Sequence, residues 1–221
     1  MSLSQDFYHE LHRRFTGEIR TDTASKILYS TDASMYQIEP LGVAVPRTQE
    51  DLIAAVELAA RYKIPILPRG AGTSLGGQAI GAALIIDCSR WLDSIIEIDP
   101  DTRTVLVEPG VVLSTLNRAA AQYGLMFGPD PASAERATLG GVIGNNATGA
   151  HSILYGMTAD HLLSADVLLG DGTLETWDLN HASKLTPAIE AIRAQNGETI
   201  RQSFPKTWRN SAGYRLNYLL P

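Results

Sequence analysis

The chain has 221 residues, 44% of them hydrophobic and 19% charged, and its formal net charge is −6. This length and composition are typical of a globular protein with one substantial domain or two smaller lobes. The acidic balance disfavours a nucleic-acid partner, which requires a basic face. Because Cys88 is the only cysteine, an intrachain disulfide and an iron–sulfur cluster held by this chain alone are excluded.

Apolar segments are short throughout the chain. No apolar run reaches the length of about eighteen residues that a membrane-spanning helix needs, and residues 1–15 lack the apolar stretch of a secretory signal. The histidines show no metal-ligand spacing. We therefore expect a cytoplasmic protein with no membrane span and no metal site.

The first part of the chain predicts a strand, a helix and a strand after a lead-in. Residues 1–40 begin as a helix and continue irregularly, and residues 41–45 form a short apolar strand. A helix begins at Thr48, which stands at capping-box spacing from Asp51. Residues 64–67 form the second strand. This βαβ unit is followed by a glycine-rich loop, in the position where α/β proteins bind phosphate.

Short strands and two further helices are predicted beyond residue 83. The strands are 84–87, 95–98, 104–107, 165–169 and 173–177, and the last two flank Gly-Asp-Gly at 170–172, a strong hairpin signal. A helix at 112–123 ends at Gly124 in a left-handed cap, and another helix covers 187–194. These elements predict an α+β fold with two lobes, the first of which ends near residue 90.

Two glycine-rich segments, at 65–77 and 128–151, carry the functional information. Glycine lets the backbone approach a ligand closely and lets successive N–H groups point at one anion. Both segments are rich in hydroxyl groups and poor in charge. They suit a long ligand with a diphosphate in its middle, such as a dinucleotide.

Two common phosphate-binding motifs do not match these segments. A Walker loop needs a lysine after its last glycine, and neither segment has one there. A Rossmann fingerprint needs a third glycine where this chain has Leu75, and the residues that follow do not begin a helix. A nucleoside triphosphatase and a nicotinamide-type Rossmann domain are therefore both disfavoured.

The sequence resembles the flavin-linked oxidases and dehydrogenases related to p-cresol methylhydroxylase and vanillyl-alcohol oxidase. It is most similar to the members that act on 2-hydroxy acids, namely D-lactate dehydrogenase, the glycolate oxidase flavin subunit and D-2-hydroxyglutarate dehydrogenase. The likeness extends from about residue 40 to residue 177. It rests on Pro-Arg-Gly-Ala-Gly-Thr-Ser-Leu-Gly-Gly at 68–77, Glu-Pro-Gly at 108–110, Gly-Pro-Asp-Pro at 128–131, Thr-Leu-Gly-Gly at 138–141, Asn-Ala-Thr-Gly-Ala-His at 146–151, Tyr-Gly at 155–156 and Leu-Gly-Asp-Gly at 169–172.

The resemblance implies a two-lobed FAD-binding domain of the p-cresol methylhydroxylase type. After the lead-in at 1–40, a small βαβ lobe would cover 41–90, and a larger mixed lobe would cover 91–221. The pyrophosphate of FAD would lie between the two glycine segments. The chemistry would be hydride transfer from a substrate carbon to the flavin.

The resemblance also implies which residues bind FAD. The diphosphate would be bound by the first segment, through Pro68, Arg69, Gly70, Ala71, Gly72, Thr73, Ser74 and Gly76. The second segment would reach the diphosphate and the ribityl or isoalloxazine part through Pro129, Asp130, Thr138, Leu139, Gly140 and Gly141. The same side of the FAD site would also include Asn145, Asn146, Gly149, Ala150, Ser152, Tyr155 and Gly156.

Two side chains carry open alternatives. The Arg69 guanidinium would pair either with a phosphate or with a carboxylate between the lobes. His151 would lie either near the flavin, as the one catalytic candidate of the chain, or in a structural hydrogen bond. Thr73 stands where some relatives attach FAD through a histidine, so non-covalent FAD is expected.

The family places its substrate-binding cap after the flavin domain, and residues 206–214 resemble the junction between the two. We therefore expect this chain to be the flavin-binding portion of an enzyme that oxidises a small D-2-hydroxy acid of the lactate, glycolate or 2-hydroxyglutarate class. The cap, and an iron–sulfur domain or subunit, would lie outside the chain, and a partner could tether it to the inner membrane. Two alternatives remain: a stand-alone flavin-binding subunit that works with a partner chain, and a reductase of the enolpyruvyl-reductase type.

Overall fold

The structure is a computed structural model, and it describes residues 3–181, 183–207 and 214–220. Two compact units are present. The first comprises residues 1–160 and 168–174, and the second comprises residues 161–167 and 175–221. The predicted lobe boundary near residue 90 stays a prediction.

A four-stranded sheet is the frame of the first unit, and its strands are β1 (Glu18–Arg20), β2 (Gly42–Val45), β3 (Ile66–Arg69) and β4 (Leu84–Asp87). Their order in the sheet is β1-β2-β4-β3. β4 pairs in parallel with both β2 and β3, while β1 pairs antiparallel with β2. β2 and β4 are buried along their whole length, as expected for apolar strands in the middle of a largely parallel sheet.

Two helices cover this sheet and form the first core. α1 (Gln5–Arg14) is capped by Ser4, and α3 (Gln49–Arg61) is capped by Thr48, whose hydroxyl accepts from the Asp51 N–H as predicted. Their buried side chains meet those of the strands in a cluster of Phe7, Leu11, Phe15, Ala44, Ala55, Val56, Leu58, Leu84 and Ile86. A third helix, α2 (Thr23–Tyr29), precedes β2.

Asp51 fastens the start of α3 to the chain around it. Its side chain is 1% exposed and accepts hydrogen bonds from the Thr16 N–H at 2.6 Å, the Thr16 hydroxyl at 2.9 Å and the Arg47 N–H at 2.9 Å. A buried N–H or O–H group that loses its acceptor is no longer compensated for its removal from water, which lowers the stability of the folded state. Asp51→Ala should therefore lower the free energy of unfolding by about 3 kcal/mol. Urea denaturation followed by circular dichroism measures this loss, and Glu50→Ala, at an exposed neighbouring position, should change it far less. Equal effects of the two variants would contradict the role given to Asp51.

The rest of the first unit builds a second core. β5 (Ile95–Asp99) and β6 (Thr104–Val107) form an antiparallel hairpin, followed by α4 (Leu113–Ala121) and the short helices α5 (Leu139–Gly144) and α6 (Ser152–Tyr155). The core residues are Val111, Leu113, Leu116, Ala137, Leu139 and Val142. Gly124 has a φ of 69°, which confirms the predicted left-handed cap.

The second unit contains most of a hairpin and a long helix. β7 (Ala165–Leu168) and β8 (Leu174–Trp177) form a two-stranded sheet, which confirms the predicted hairpin. α7 (Thr186–Ser203) is longer than the predicted helix at 187–194, and a 3-10 turn follows at Leu216–Leu219. Within the predicted junction at 206–214, residues 208–213 lie outside the described residues. Of the helices that the structure describes, none is long and apolar enough to cross a membrane.

Candidate functional site

The first glycine segment is the crossover between β3 and β4. These two parallel strands are neighbours, with Arg69 in register with Asp87, and residues 70–83 connect them without a helix. Among the residues that the structure describes, none accepts a hydrogen bond from the main-chain N–H groups of 70–75, while the Gly76 N–H donates to the Gln78 side chain at 3.1 Å. A row of amide donors in a loop without helix or strand suits an anionic ligand.

The two glycine segments touch at Gly70 and Thr138. A Cβ atom on Gly70 would lie 2.0 Å from the Thr138 Oγ1 atom, and Thr138 is 3% exposed. Thr138 is the N-cap of α5, and the N–H groups of the next two residues donate to the Val111 and Pro109 carbonyls, each at 2.8 Å. A Cβ atom on Gly141 would lie 3.5 Å from the same Thr138 Oγ1 atom, whereas contact of Pro68, Ala71, Thr73, Ser74 and Gly140 with a ligand stays a prediction. Leu139 has its side chain in the second core.

The remaining part of the second segment folds back on itself. A Cβ atom on Gly149 would lie 1.7 Å from the Asp130 carbonyl oxygen, and the Ala150 N–H donates to that same oxygen at 3.3 Å. The buried Ser152 hydroxyl donates to the Pro129 carbonyl at 3.3 Å and accepts from the Gly149 N–H at 3.0 Å. The structure therefore brings residues 128–131 into contact with residues 149–155, while their contact with FAD stays a prediction.

His151 lies on this second cluster with a carboxylate beside it. Its Nδ1 atom is 3.2 Å from Asp130 Oδ2, and both side chains are partly exposed. Its ring meets the edge of Tyr155 at a centroid distance of 6.4 Å. Asp130 has a φ of 47°, in the left-handed region that aspartate tolerates better than most residues. Both predicted roles of His151, one near the flavin and one in a structural hydrogen bond, therefore stay predictions.

Asn146 and Gly156 stabilise the backbone of the second segment and of the turn after it. The Asn146 side chain accepts from the Ala159 N–H at 2.9 Å, and its φ is 44°. Gly156 has a φ of 83°. Asn145 is exposed at the end of α5. These residues hold the segment in shape, and their contact with a ligand stays a prediction.

The Arg69 side chain has a role that neither predicted alternative included. Its guanidinium donates to the main-chain carbonyls of Tyr29, Thr31 and Ala79, at 3.2, 2.9 and 3.0 Å. Tyr29 and Thr31 were not predicted to take part in the site, because they stand in a stretch without a regular pattern. No local pattern indicates them.

The comparisons with known proteins agree with this geometry. Residues 40–178 match the family described as the FAD binding domain. The chain belongs to this family. The family resemblance and the FAD cofactor predicted from the sequence are therefore confirmed, and the amide row at 70–75, the neighbouring hydroxyls and the close glycine approaches fit a ligand with a diphosphate.

Named relatives extend the comparison. A D-2-hydroxyglutarate dehydrogenase of Escherichia coli strain K12 is 36% identical over an alignment 236 residues long, and this alignment covers 99% of this chain and 23% of that protein. The glycolate oxidase subunit GlcD of Bacillus subtilis strain 168 is 33% identical over 153 residues, 68% of this chain and 33% of that subunit. A solved structure of alkyldihydroxyacetonephosphate synthase has a TM-score of 0.74 over 85% of this chain and 37% of that chain, at 21% identity, which confirms the α+β fold class.

Proposed function

We propose that this chain supplies the FAD-binding part of a flavin-dependent dehydrogenase or oxidase of a small D-2-hydroxy acid. The observation that carries the proposal is the stretch of N–H groups at 70–75 that have no acceptor among the described residues, in a segment whose Gly70 packs against Thr138 of the second segment. The chain spans 23% and 33% of the length of the two relatives above. The oxidation of a 2-hydroxy acid is therefore proposed for the whole enzyme, and the names of those two relatives support it.

The first glycine segment would bind the diphosphate. Its N–H groups from Gly70 to Leu75 would donate to phosphate oxygens, together with the hydroxyls of Thr73 and Ser74. The second segment, through Pro129, Asp130, Thr138, Gly140 and Gly141, would form the opposite side of the site. FAD, when bound, supplies a ring that accepts a hydride from the substrate carbon. The presence of Thr73 where some relatives have histidine supports non-covalent attachment.

The pairing of His151 with Asp130 would give this chain one group able to move a proton. If Nδ1–H donates to Asp130 Oδ2, across the 3.2 Å between the two atoms, the basic nitrogen of the ring is Nε2. The carboxylate would then fix the orientation of the imidazole in that tautomer. A base at this position would lie beside the second segment, while the residues that bind the substrate acid group would belong to a cap outside this chain.

A partner chain is the second candidate arrangement. One relative is named a subunit, which favours a version in which this chain works with a partner that supplies the cap. In this arrangement we also propose a cytoplasmic location. A partner with an iron–sulfur centre would attach the chain peripherally to the inner membrane.

An absorption spectrum of the purified protein tests the proposed function. We expect a flavin spectrum, and we expect denaturation followed by filtration to release the chromophore as intact FAD. Added FAD serves as the loading control, and a mixture with NADPH distinguishes the reductase alternative, which requires stoichiometric reduction of the flavin. A protein that neither carries nor takes up FAD, or that releases a different nucleotide, would refute the proposal.

Gly72→Asp should weaken FAD binding strongly. Gly72 has a φ of 69°, which L residues rarely adopt, and a Cβ atom there would lie 2.6 Å from Arg69 Nη2. The substitution would therefore displace that guanidinium as well as bring a carboxylate towards the proposed diphosphate. Two like unit charges about 4 Å apart repel by about 4 kcal/mol near a protein surface, so the Kd for FAD should rise at least about 100-fold. Isothermal titration calorimetry measures it.

Gly124→Asp is the matched control for this change. Gly124 has the same φ of 69°, and a Cβ atom there would meet nothing within 4 Å. It therefore adds the same charge and the same backbone strain away from the glycine segments. An unchanged Kd in Gly72→Asp, or an equal rise in both variants, would place the diphosphate elsewhere.

A further inference from the structure

The Arg69 guanidinium joins two stretches of main chain that are far apart in sequence. One of its nitrogens, Nη1, donates to the Tyr29 carbonyl at 3.2 Å and to the Ala79 carbonyl at 3.0 Å, and the other, Nη2, donates to the Thr31 carbonyl at 2.9 Å. Ala79 lies in the connection between β3 and β4, two residues after the first glycine segment, while Tyr29 and Thr31 belong to the N-terminal part of the chain. A planar guanidinium can bridge several acceptors at fixed angles, which an ammonium group does not do.

The same two stretches are joined by further hydrogen bonds. The Ala33 N–H donates to the Gly72 carbonyl at 3.0 Å, and the Ala79 N–H donates to Asp32 Oδ2 at 3.3 Å. The other oxygen of Asp32 accepts from the Ser34 N–H at 2.8 Å. The connection at 70–83 is therefore bonded at Gly72 and at Ala79 to residues 32 and 33.

An aromatic side chain extends this contact along the glycine segment. A Cβ atom on Gly77 would lie 3.1 Å from Tyr36 Cδ2, so Tyr36 packs against the segment while 56% of the residue remains exposed. We use the name N-terminal wall for residues 30–36.

Tyr29 ties the N-terminal wall to the sheet. The Arg69 guanidinium carbon lies 5.2 Å from the Tyr29 ring centroid, and the Tyr29 hydroxyl donates to Asp87 Oδ2 at 2.6 Å. Asp87 ends β4 in register with Arg69. Burial, and then the hydrogen bond to Asp87, raises the pKa of Tyr29 to about 12, so this phenol keeps its proton at physiological pH.

We propose that the N-terminal wall is a third side of the FAD site and that Arg69 is a positioning residue that holds the first glycine segment against it. This goes beyond the family match, which covers residues 40–178, and it rests on the proposed function. The guanidinium acts on FAD through the main chain, because the hydrogen bonds described above go to carbonyl oxygens. It keeps the amide row at 70–75 in the shape that a diphosphate requires.

Three variants test this role. Arg69→Lys keeps the charge and loses the planar fork, and Arg69→Met loses both. Asp32→Ala removes an acceptor of the same network together with a negative charge. Arg61→Lys, at an arginine of α3 that pairs with Glu10, is the matched control. For each protein we would measure the Kd for FAD at two salt concentrations, and hydrogen exchange of the FAD-free protein by mass spectrometry.

The positioning role predicts that Arg69→Lys and Arg69→Met weaken FAD binding to a similar extent, by about tenfold or more, which corresponds to about 1.4 kcal/mol. Both should speed up exchange in 30–36 and 70–79, and the salt dependence of Kd should stay that of the unmodified chain. Asp32→Ala should also weaken binding, although removal of a negative charge alone would strengthen binding of an anion. Arg61→Lys should change neither quantity.

Other results would overturn this role. Retained affinity in Arg69→Lys with a loss in Arg69→Met would mean that the charge itself contacts a phosphate. Unchanged exchange in both variants would mean that the guanidinium does not hold the segment. If the unmodified chain binds no FAD, the proposed function fails, and the exchange measurement still decides whether Arg69 joins the N-terminal wall to the glycine segment. Tighter binding by Asp32→Ala would also contradict the proposal.

Discussion

Gly149→Ala is expected to lower the free energy of unfolding by about 3 kcal/mol, the upper end of the usual cost of overpacking. The added Cβ atom would lie 1.7 Å from the Asp130 carbonyl oxygen and 2.1 Å from its carbon. Both are backbone atoms, so the conflict is relieved only if residues 129–130 and 149–152 move apart. That movement would also break the Ala150 hydrogen bond and separate His151 from Asp130. Urea denaturation measures the loss, and calorimetry should show weaker FAD binding by the folded variant.

Gly144→Ala is the control for this change. Gly144 ends α5 in the same segment, and a Cβ atom there would meet nothing within 4 Å. Alanine costs less conformational entropy than glycine in a helix, so this variant should be as stable as the unmodified chain or more stable by up to about 1 kcal/mol. If Gly149→Ala and Gly144→Ala destabilise the protein equally, the close approach of Gly149 to Asp130 is not the cause of the destabilisation.

Gly70→Ala is expected to separate the two glycine segments and to raise the Kd for FAD by about 100-fold. Its Cβ atom would lie 2.0 Å from Thr138 Oγ1 but 3.3 Å from Thr138 Cβ, so the conflict is mainly with the hydroxyl. Thr138→Ala removes that hydroxyl. In the double variant the stability lost in Gly70→Ala should return in part, with a coupling free energy of at least about 1 kcal/mol.

A double-mutant cycle of unfolding free energies tests this contact independently of FAD. Simple additivity of the two changes would mean that Gly70 and Thr138 do not touch. FAD affinity need not recover in the double variant, because the Thr138 hydroxyl belongs to the proposed site. Stability and affinity therefore report on two different roles of the same side chain.

Much of the fold could be predicted because its signals are local. The cap at Thr48, the apolar strand at Leu84–Asp87 and the left-handed glycine at 124 each depend on a few neighbouring residues, and the structure confirms them. β1 was not predicted, because three residues carry too little pattern to distinguish a strand. The place of β4 between β2 and β3 depends on long-range packing, which no local pattern records.

The candidate site was predictable to a similar degree. Glycine-rich motifs locate both segments, and a positive φ at Gly72 agrees with the first of them. The sequence did not indicate that Gly70 meets Thr138, or that the Arg69 guanidinium donates to the carbonyls of Tyr29 and Thr31. Such contacts join segments that come together only in the folded chain. Hydrogen bonds to main-chain carbonyls in particular cannot be predicted from residue type, because every residue has such a carbonyl.

The crossover from β3 to β4 has a thermodynamic consequence. A parallel connection usually contains a helix, which uses its own amide groups internally, whereas here the N–H groups at 70–75 have no acceptor among the residues that the structure describes. Opening that part of the connection in the FAD-free protein breaks the hydrogen bonds of Gly72 and Ala79 but no helix and no strand pairing, so its local unfolding should be cheaper than that of the strands on either side. A ligand that binds only the closed form adds stability that grows with the logarithm of its concentration. The level of free FAD would then set how often this loop opens, and with it the susceptibility of this part of the chain to proteolysis.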